Sequence, residues 1–366
     1  MIFPEFLKDN GIIGLVAPSC GAGFEPYISC LNNALKNFKE MGYYVNLGPN
    51  CYEAKGIGIS NTPELCAKEL MEEYANPDND IIISVGGGEC MCETMSKVDF
   101  DVLRKATPKW YMGYSDNTNM TFLMTTILDT ASIYGPNAGA FGMEPWHKYV
   151  KDAWDVVTGK KIEKTAGIGK RISVQNYDKF EIESLKSEEN PLASTNATEP
   201  VQVLGFDVKV MSTDDKETYV PSMVDKLEFS GRLIGGCLDC LVNLLGTRFD
   251  YVNQFVERYK EDGIIWYLEA CDLNVFGIRR ALWQMYEAGW FKYVKGFVFG
   301  RPANPFEMHG LNHIDAQLEI PVKTLHVPVI CDADIGHVSP QMTIINGALA
   351  DVKYESKCLS IDMKLV

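Results

Sequence analysis

The sequence predicts an α/β fold with a parallel sheet in its N-terminal part and a second domain after it. Three observations predict it. Short apolar runs alternate with helical patterns. Glycine-rich turns end the apolar runs. The chain has 366 residues, more than one domain of roughly 150 residues, and a polar, turn-rich zone divides it.

The first apolar run, Ile12 to Ala17, ends in Pro18-Ser19 and the turn Gly21-Ala22-Gly23. From Tyr27 to Met41, the residues Leu31, Ala34, Leu35, Phe38 and Met41 recur at helical spacing, and Gly42 stops the helix. Tyr43 to Leu47 is a short strand. Thr62-Pro63 opens a second helix, with proline in the first turn and Leu65, Leu70, Met71 and Tyr74 along it. Ile81 to Val85 is a strand ending in Gly86-Gly87-Gly88, and Trp110 to Gly113 is another ending in Tyr114-Ser115. Such strands, separated by helices, form a parallel sheet covered on both faces, and ligands gather at its carboxyl ends. Both the triple glycine and Ser115 stand at such ends.

Roughly residues 160–228 read differently. "KSEENPLASTNATEP" and "MSTDDKETYVPS" are polar and turn-rich. The division is therefore 1–165 for an N-terminal α/β domain, 166–228 for a linker and loop-rich lead-in, and 229–366 for a C-terminal α/β domain. "GRLIGGCLDCLVNLLGT" reads as a turn feeding a helix. Gly263 to Ala270 is a buried strand, Phe276 to Gly289 a helix, and Lys295 to Gly300 and Val327 to Ile330 are strands. The last twenty residues suggest a hairpin.

Net charge is −15, from 34 basic against 49 acidic residues. A surface this acidic repels phosphate backbones and anionic lipid, so nucleic acid and membrane are excluded as partners. No apolar run reaches the ~18 residues of a membrane span. The N-terminus lacks a basic region followed by an apolar one, so no signal peptide is read. Eleven cysteines, an odd number, fit reduced thiols in the cytoplasm. Cys90-x-Cys92 and Cys237-x-x-Cys240 have no histidine at finger-like spacing, and read as small buried residues rather than zinc ligands.

Ser115 lies in "KWYMGYSDNT", where a strand gives way to a helix. A serine there either caps the helix or points out as a nucleophile over free N–H groups. The pattern departs from G-x-S-x-G, because Asn117 stands where the second glycine belongs. Gly86-Gly87-Gly88 suits either a tight turn or a backbone cradle for an anion. It lacks dinucleotide spacing and a P-loop lysine. Glu269 ends a buried strand and needs a partner, either a histidine N–H or Arg279 or Arg280. Of the histidines His147, His309, His313, His326 and His337, the last stands out in the strand-end loop "CDADIGHVSPQ". His309 and His313 lack the glutamate of H-E-x-x-H, and Gly310 interrupts them.

"PKWYMGYSDNT" and "SVGGGEC", followed by "GRLIGGCLDCL", "IIWYLEACD" and "DIGHVSPQ", together resemble the LD-carboxypeptidase family of serine peptidases. Within it the chain looks most like the microcin C immunity branch. The pieces span nearly the whole chain in order. The resemblance implies a flavodoxin-like N-terminal α/β domain joined to a smaller α/β C-terminal domain. It implies a Ser–Glu–His triad of Ser115, Glu269 and His337. It implies an oxyanion hole of backbone N–H groups from Asp116 and Gly87, with Gly86 beside them. No metal or cofactor is implied, and the usual assembly is a homodimer. The expected substrate is a murein peptide. The alternatives are a peptidyl-nucleotide cleaved by an immunity-type amidase, or a non-catalytic small-ligand binding protein on the same scaffold. The immunity branch stacks a tryptophan on a nucleotide base, whereas this chain has none between Trp154 and Trp266. Tyr177 and Phe180 are the substitutes in that stretch.

Overall fold

The apolar runs of the N-terminal part become a sheet in the computed structural model, which describes residues 1–165, 169–213 and 216–366. The chain divides into two units. Unit 1 holds Met1–Lys164, Glu181–Asn196 and Met342–Gly347, and unit 2 holds Thr165–Phe180, Ala197–Gln341 and Ala348–Val366. The expected boundary after residue 165 falls at residues 166–168, outside the described residues.

In unit 1, β1 (Ile12–Val16), β2 (Tyr44–Leu47), β3 (Ile81–Ser84), β4 (Trp110–Gly113) and β5 (Ser132–Tyr134) lie in the order β2-β1-β3-β4-β5. All five run parallel. The strand Ile344–Asn346 adds antiparallel to β5. The order is the flavodoxin-like one. Every residue of β3 and β4 is buried, which is why these strands read as unbroken apolar runs rather than alternating ones. The helices are α1 (Tyr27–Glu40), α2 (Pro63–Ala75), α3 (Met91–Met95), α4 (Phe100–Lys105), α5 (Thr118–Ile127) and α6 (Lys148–Val157). Helix α1 buries Cys30, Leu31, Ala34 and Phe38; a fully buried phenylalanine contributes roughly 1.5–3 kcal/mol. Thr62 caps α2 by accepting from the Leu65 N–H. Met41 and Leu65, placed on apolar faces by spacing, are exposed.

Strand β6 (Glu163–Thr165) stands where the chain leaves its first unit 1 segment. The next strands are β7 (Gly169–Gln175), β8 (Lys179–Phe180), β9 (Glu199–Pro200), β10 (Leu204–Thr213), β11 (Lys216–Val224) and β12 (Lys226–Cys237). They are followed by β13 (Ile264–Glu269), β14 (Val294–Gly300), β15 (Val329–Ala333), the unit 1 strand Ile344–Asn346 (β16), β17 (Leu349–Glu355) and β18 (Cys358–Leu365). The unit 2 sheet runs β11-β10-β15-β14-β13-β12-β17-β18-β7, with β11 outermost. Strands β12 to β15 are parallel to one another, and β17 and β18 form the expected terminal hairpin. The helices here are α7 (Leu238–Leu244), α8 (Val252–Arg258), α9 (Val275–Glu287) and α10 (His313–Leu318).

Two expectations differ from what is found. Much of the zone read as loops is a long antiparallel hairpin, β10 with β11. Its residues are mostly exposed or half-buried, and the short apolar alternation of Phe206, Val208 and Val210 in β10 is set among polar, turn-rich stretches that hide it. Residues 214–215, in the stretch "MSTDDKETYVPS", lie outside the described residues. The stretch "GRLIGGC" is not a turn but the end of β12, running directly into α7. Its glycines serve close strand approach: a Cβ on Gly235 would meet the Tyr267 carbonyl oxygen at 1.6 Å.

Candidate active site

Unit 1 brings Ser115, Asp116, Gly86 and Gly87 together at the carboxyl ends of β3 and β4. Ser115 opens a 3₁₀ turn, Ser115–Asn117, between β4 and α5. Its φ is +64°, a left-handed conformation that a residue with a Cβ adopts only at a cost. The cap residue of the turn is Tyr114 and that of α5 is Asn117, and neither makes a side-chain cap bond. Ser115 is thus not a helix cap. It sits on a strained strand-to-helix turn, the arrangement that lifts a nucleophile above a sheet. Its backbone N–H donates to the Tyr134 hydroxyl at 3.3 Å.

The glycine loop lies against this turn. A Cβ built on Gly87 would stand 3.1 Å from both Cβ and Oγ of Ser115. Asp116 is the clamp: its Oδ2 accepts from Ser19 Oγ at 2.6 Å and from the Met91 N–H at 2.9 Å, and its Oδ1 accepts from Asn119 Nδ2 at 3.0 Å. Burial pushes the Asp116 carboxyl up, partly offset by those donors. Asn117 ties the loop to the sheet. Its Nδ2 donates to the Gly86 carbonyl at 2.8 Å and to Asn137 Oδ1 at 3.3 Å, while its Oδ1 accepts from the Tyr111 hydroxyl at 2.6 Å. The departure from G-x-S-x-G therefore has a function, and Gly113 makes room for it: a Cβ there would meet Asn117 Cβ at 2.8 Å. Ser19 and Asn137 do not stand out in the sequence because their partners are distant along the chain, and Asn119, in the first turn of α5, looks like an ordinary polar residue at a helix start.

Unit 2 brings Glu269 and His337 together. Glu269 ends β13 with its side chain fully buried, and His337 Nδ1 lies 2.8 Å from Glu269 Oε2. Arg279 pairs instead with Glu319 at 3.2 Å, so the histidine is the partner that the carboxylate takes. Gly336 allows the approach. Its φ is +97°, and a Cβ there would meet the Glu269 carboxyl carbon at 2.5 Å. A carboxylate on one ring nitrogen fixes the imidazole's tautomer and stabilises its cation, which is what a general base needs. The other histidines are engaged elsewhere. His147 Nδ1 accepts from the Tyr149 N–H, His313 Nε2 lies 3.0 Å from Asp332 Oδ1, His326 stacks on Tyr219, and the His309 ring lies 6.1 Å from that of Phe276.

Tyr177 and Phe180 also have structural partners in unit 2. The Tyr177 N–H donates to Asp334 Oδ2 at 2.6 Å. The Arg301 guanidinium lies over the Phe180 ring at 4.2 Å while it pairs with Asp334 at 2.8 Å.

The family model for the LD-carboxypeptidase N-terminal domain matches residues 13–135, and that for the C-terminal domain matches residues 230–352. The chain belongs to the LD-carboxypeptidase family. A probable murein peptide carboxypeptidase of Bacillus subtilis is 22% identical over 98% of this chain and 94% of its own length. A putative carboxypeptidase of Treponema pallidum is 20% identical over the same shares. Among solved structures, an MccF-like protein from Bacillus anthracis covers 100% of this chain and 99% of its own, at a TM-score of 0.77 and 22% identity. A muramoyltetrapeptide carboxypeptidase from Oxalobacter formigenes covers 96% and 98%, at a TM-score of 0.66 and 20% identity. The microcin C7 self-immunity protein MccF has also been solved with aspartyl sulfamoyl adenosine, and that structure matches at a TM-score of 0.75 and 19% identity. The structural likeness places this chain on the fold of the LD-carboxypeptidase family, and the family makes it a serine-peptidase-type hydrolase. Among the described residues no helix is long and apolar enough to cross a membrane.

Proposed function

We propose that this hydrolase removes a terminal D-amino acid from a murein peptide with a Ser115–Glu269–His337 triad. The observation that carries the reading is Ser115 itself, an L-residue held at φ +64° beside a glycine loop. His337 takes the Ser115 hydroxyl proton as Oγ attacks the amide carbonyl, then gives it to the leaving amine. Glu269 holds the imidazole through Nδ1 and offsets its positive charge. The N–H groups of Asp116 and Gly87, with Gly86 beside them, hold the oxyanion. Water then releases the acyl-enzyme. The names of the Bacillus subtilis and Oxalobacter formigenes relatives support the murein substrate. The Arg301 guanidinium covers one face of Phe180, an aromatic in the stretch that lacks a tryptophan, which also fits a substrate without a nucleotide base. The same reading takes a cytoplasmic homodimer as the working form, with eleven thiols kept reduced.

The second reading, an immunity-type amidase acting on an aminoacyl- or peptidyl-nucleotide, rests on the fold likeness to MccF across the whole chain. One experiment separates them. Wild type and Ser115→Ala are offered a murein tetrapeptide and an aminoacyl sulfamoyl adenosine in parallel, with products read by mass spectrometry. Release of D-alanine by wild type alone supports the first reading. Cleavage of only the nucleoside substrate replaces it with the second. Binding of either without turnover makes the chain a binding protein, and equal turnover by Ser115→Ala sinks the triad.

A further inference from the structure

We propose that unit 2 carries an inhibitory site for a thiophilic divalent cation, zinc first of all, formed by Cys237 Sγ, a Glu269 carboxylate oxygen and a ring nitrogen of His337. Inhibition rests on the triad reading above, whereas binding does not. One ligand atom from each of the three residues lies within 4.8 Å of the other two. The fold makes this meeting. Cys237 ends β12, Glu269 ends β13, and the two are direct neighbours in the parallel register. His337 is brought against Glu269 by Gly336, whose missing Cβ leaves the room. A second thiol, Cys240, lies in the first turn of α7, which Cys237 caps, and Cys237 Sγ donates to Asp239 Oδ2 at 3.4 Å. The Cys237-x-x-Cys240 pair read in the sequence as small buried residues thus lies beside the proposed base and its orienting carboxylate.

The donor set suits zinc. Thiolate, imidazole and carboxylate are its ordinary ligands, with bonds of about 2.3 Å to sulfur and about 2.0–2.2 Å to nitrogen and oxygen. Tetrahedral bonds of those lengths put ligand atoms roughly 3.2–3.7 Å apart. Spacings of at most 4.8 Å must therefore close by no more than about 1 Å, and the 2.8 Å His337–Glu269 pair must open slightly. Cys240 or water completes the fourth position. On binding, the thiol proton of Cys237 leaves to solvent, the His337 proton passes from Nδ1 to Nε2 when Nδ1 is the ligand, and no electron moves. The carboxylate and the imidazole exchange their mutual hydrogen bond for metal bonds, so the imidazole loses the partner that orients it.

The test uses the full chain with cobalt(II) as a spectroscopic probe and zinc in competition with a chromogenic chelator. Wild type should bind one cation per chain and show a thiolate-to-cobalt charge-transfer band. Cys237→Ala should lose the band and about 100-fold or more in zinc affinity. Cys237→Ser keeps the side chain's size, and serves if the alanine variant melts early. A wild type without the band, or a Cys237→Ala variant with unchanged zinc affinity, overturns the proposal. Zinc should also stop peptide turnover, reversibly with EDTA. A thiolate–cobalt band in a chain that hydrolyses nothing would sink only the triad reading. Turnover with no such band would sink only the metal site.

Discussion

At the scale of single residues, Ser115 is where backbone strain and the proposed chemistry coincide. A non-glycine residue in the left-handed region costs on the order of 1–3 kcal/mol. Ser115→Gly should relieve part of that cost and raise the melting temperature, while turnover falls about 10⁶-fold. Ser115→Ala should lose the same turnover without the stability gain. Parallel melting and rate measurements check both, and a glycine variant less stable than the alanine one would show that the turn is unstrained. Glu269→Gln keeps the shape but donates where a carboxylate accepts from His337 Nδ1. It should cost up to about 10⁴-fold in kcat with the fold intact by circular dichroism. A rise in KM alone would assign Glu269 to binding instead.

At the scale of elements, loops at strand ends hold each half of the candidate site. Gly336→Ala would force a Cβ into the Glu269 carboxyl at a φ of +97°. The expected cost is about 1–3 kcal/mol in denaturant unfolding, with turnover falling because His337 shifts. Asn117→Ala would strip donors and acceptors from Gly86, Tyr111 and Asn137. It should cost about 1–3 kcal/mol, and its rate loss should fall mainly on kcat. These elements also show how far a sequence can be read. β3, β4 and β13 were legible because buried parallel strands are continuous apolar runs, and Ser115, Glu269 and His337 were conspicuous as polar residues at or just beyond strand ends. The tethers Ser19 and Asn137 were not, since hydrogen bonds across 97 and 20 residues leave no local pattern, and Asn119, three residues from Asp116, looks like any polar residue opening a helix. The β10–β11 hairpin was hidden for another reason: the alternation of Phe206, Val208 and Val210 in β10 is short and set among polar, turn-rich stretches. Cys237 was visible only as one of a pair, because its nearness to Glu269 depends on the register of two strands.

At the scale of the whole molecule, buried carboxylates set the response to pH. Burial raises Glu69, Asp116 and Asp334 above their ordinary values. The folded state then holds these protons more tightly than the unfolded chain, so stability is lost as pH rises from the ordinary carboxylate range through the raised one. Glu69 accepts from the N–H groups of Ala17 and Asn50 and from Asn50 Nδ2. The stability of Glu69→Gln relative to wild type should therefore increase from acid toward neutral pH, read by melting across a buffer series. A constant difference would mean that Glu69 titrates alike in both states. The outermost strand β11 has a consequence of another kind. It ends a sheet, and a terminal strand offers its unpaired amides and carbonyls to any neighbouring molecule. Pro221 sits in the middle of β11, opposite Val208, where it removes one of those donors. Together with a net charge of −15, that missing donor should oppose edge-to-edge stacking in concentrated solutions.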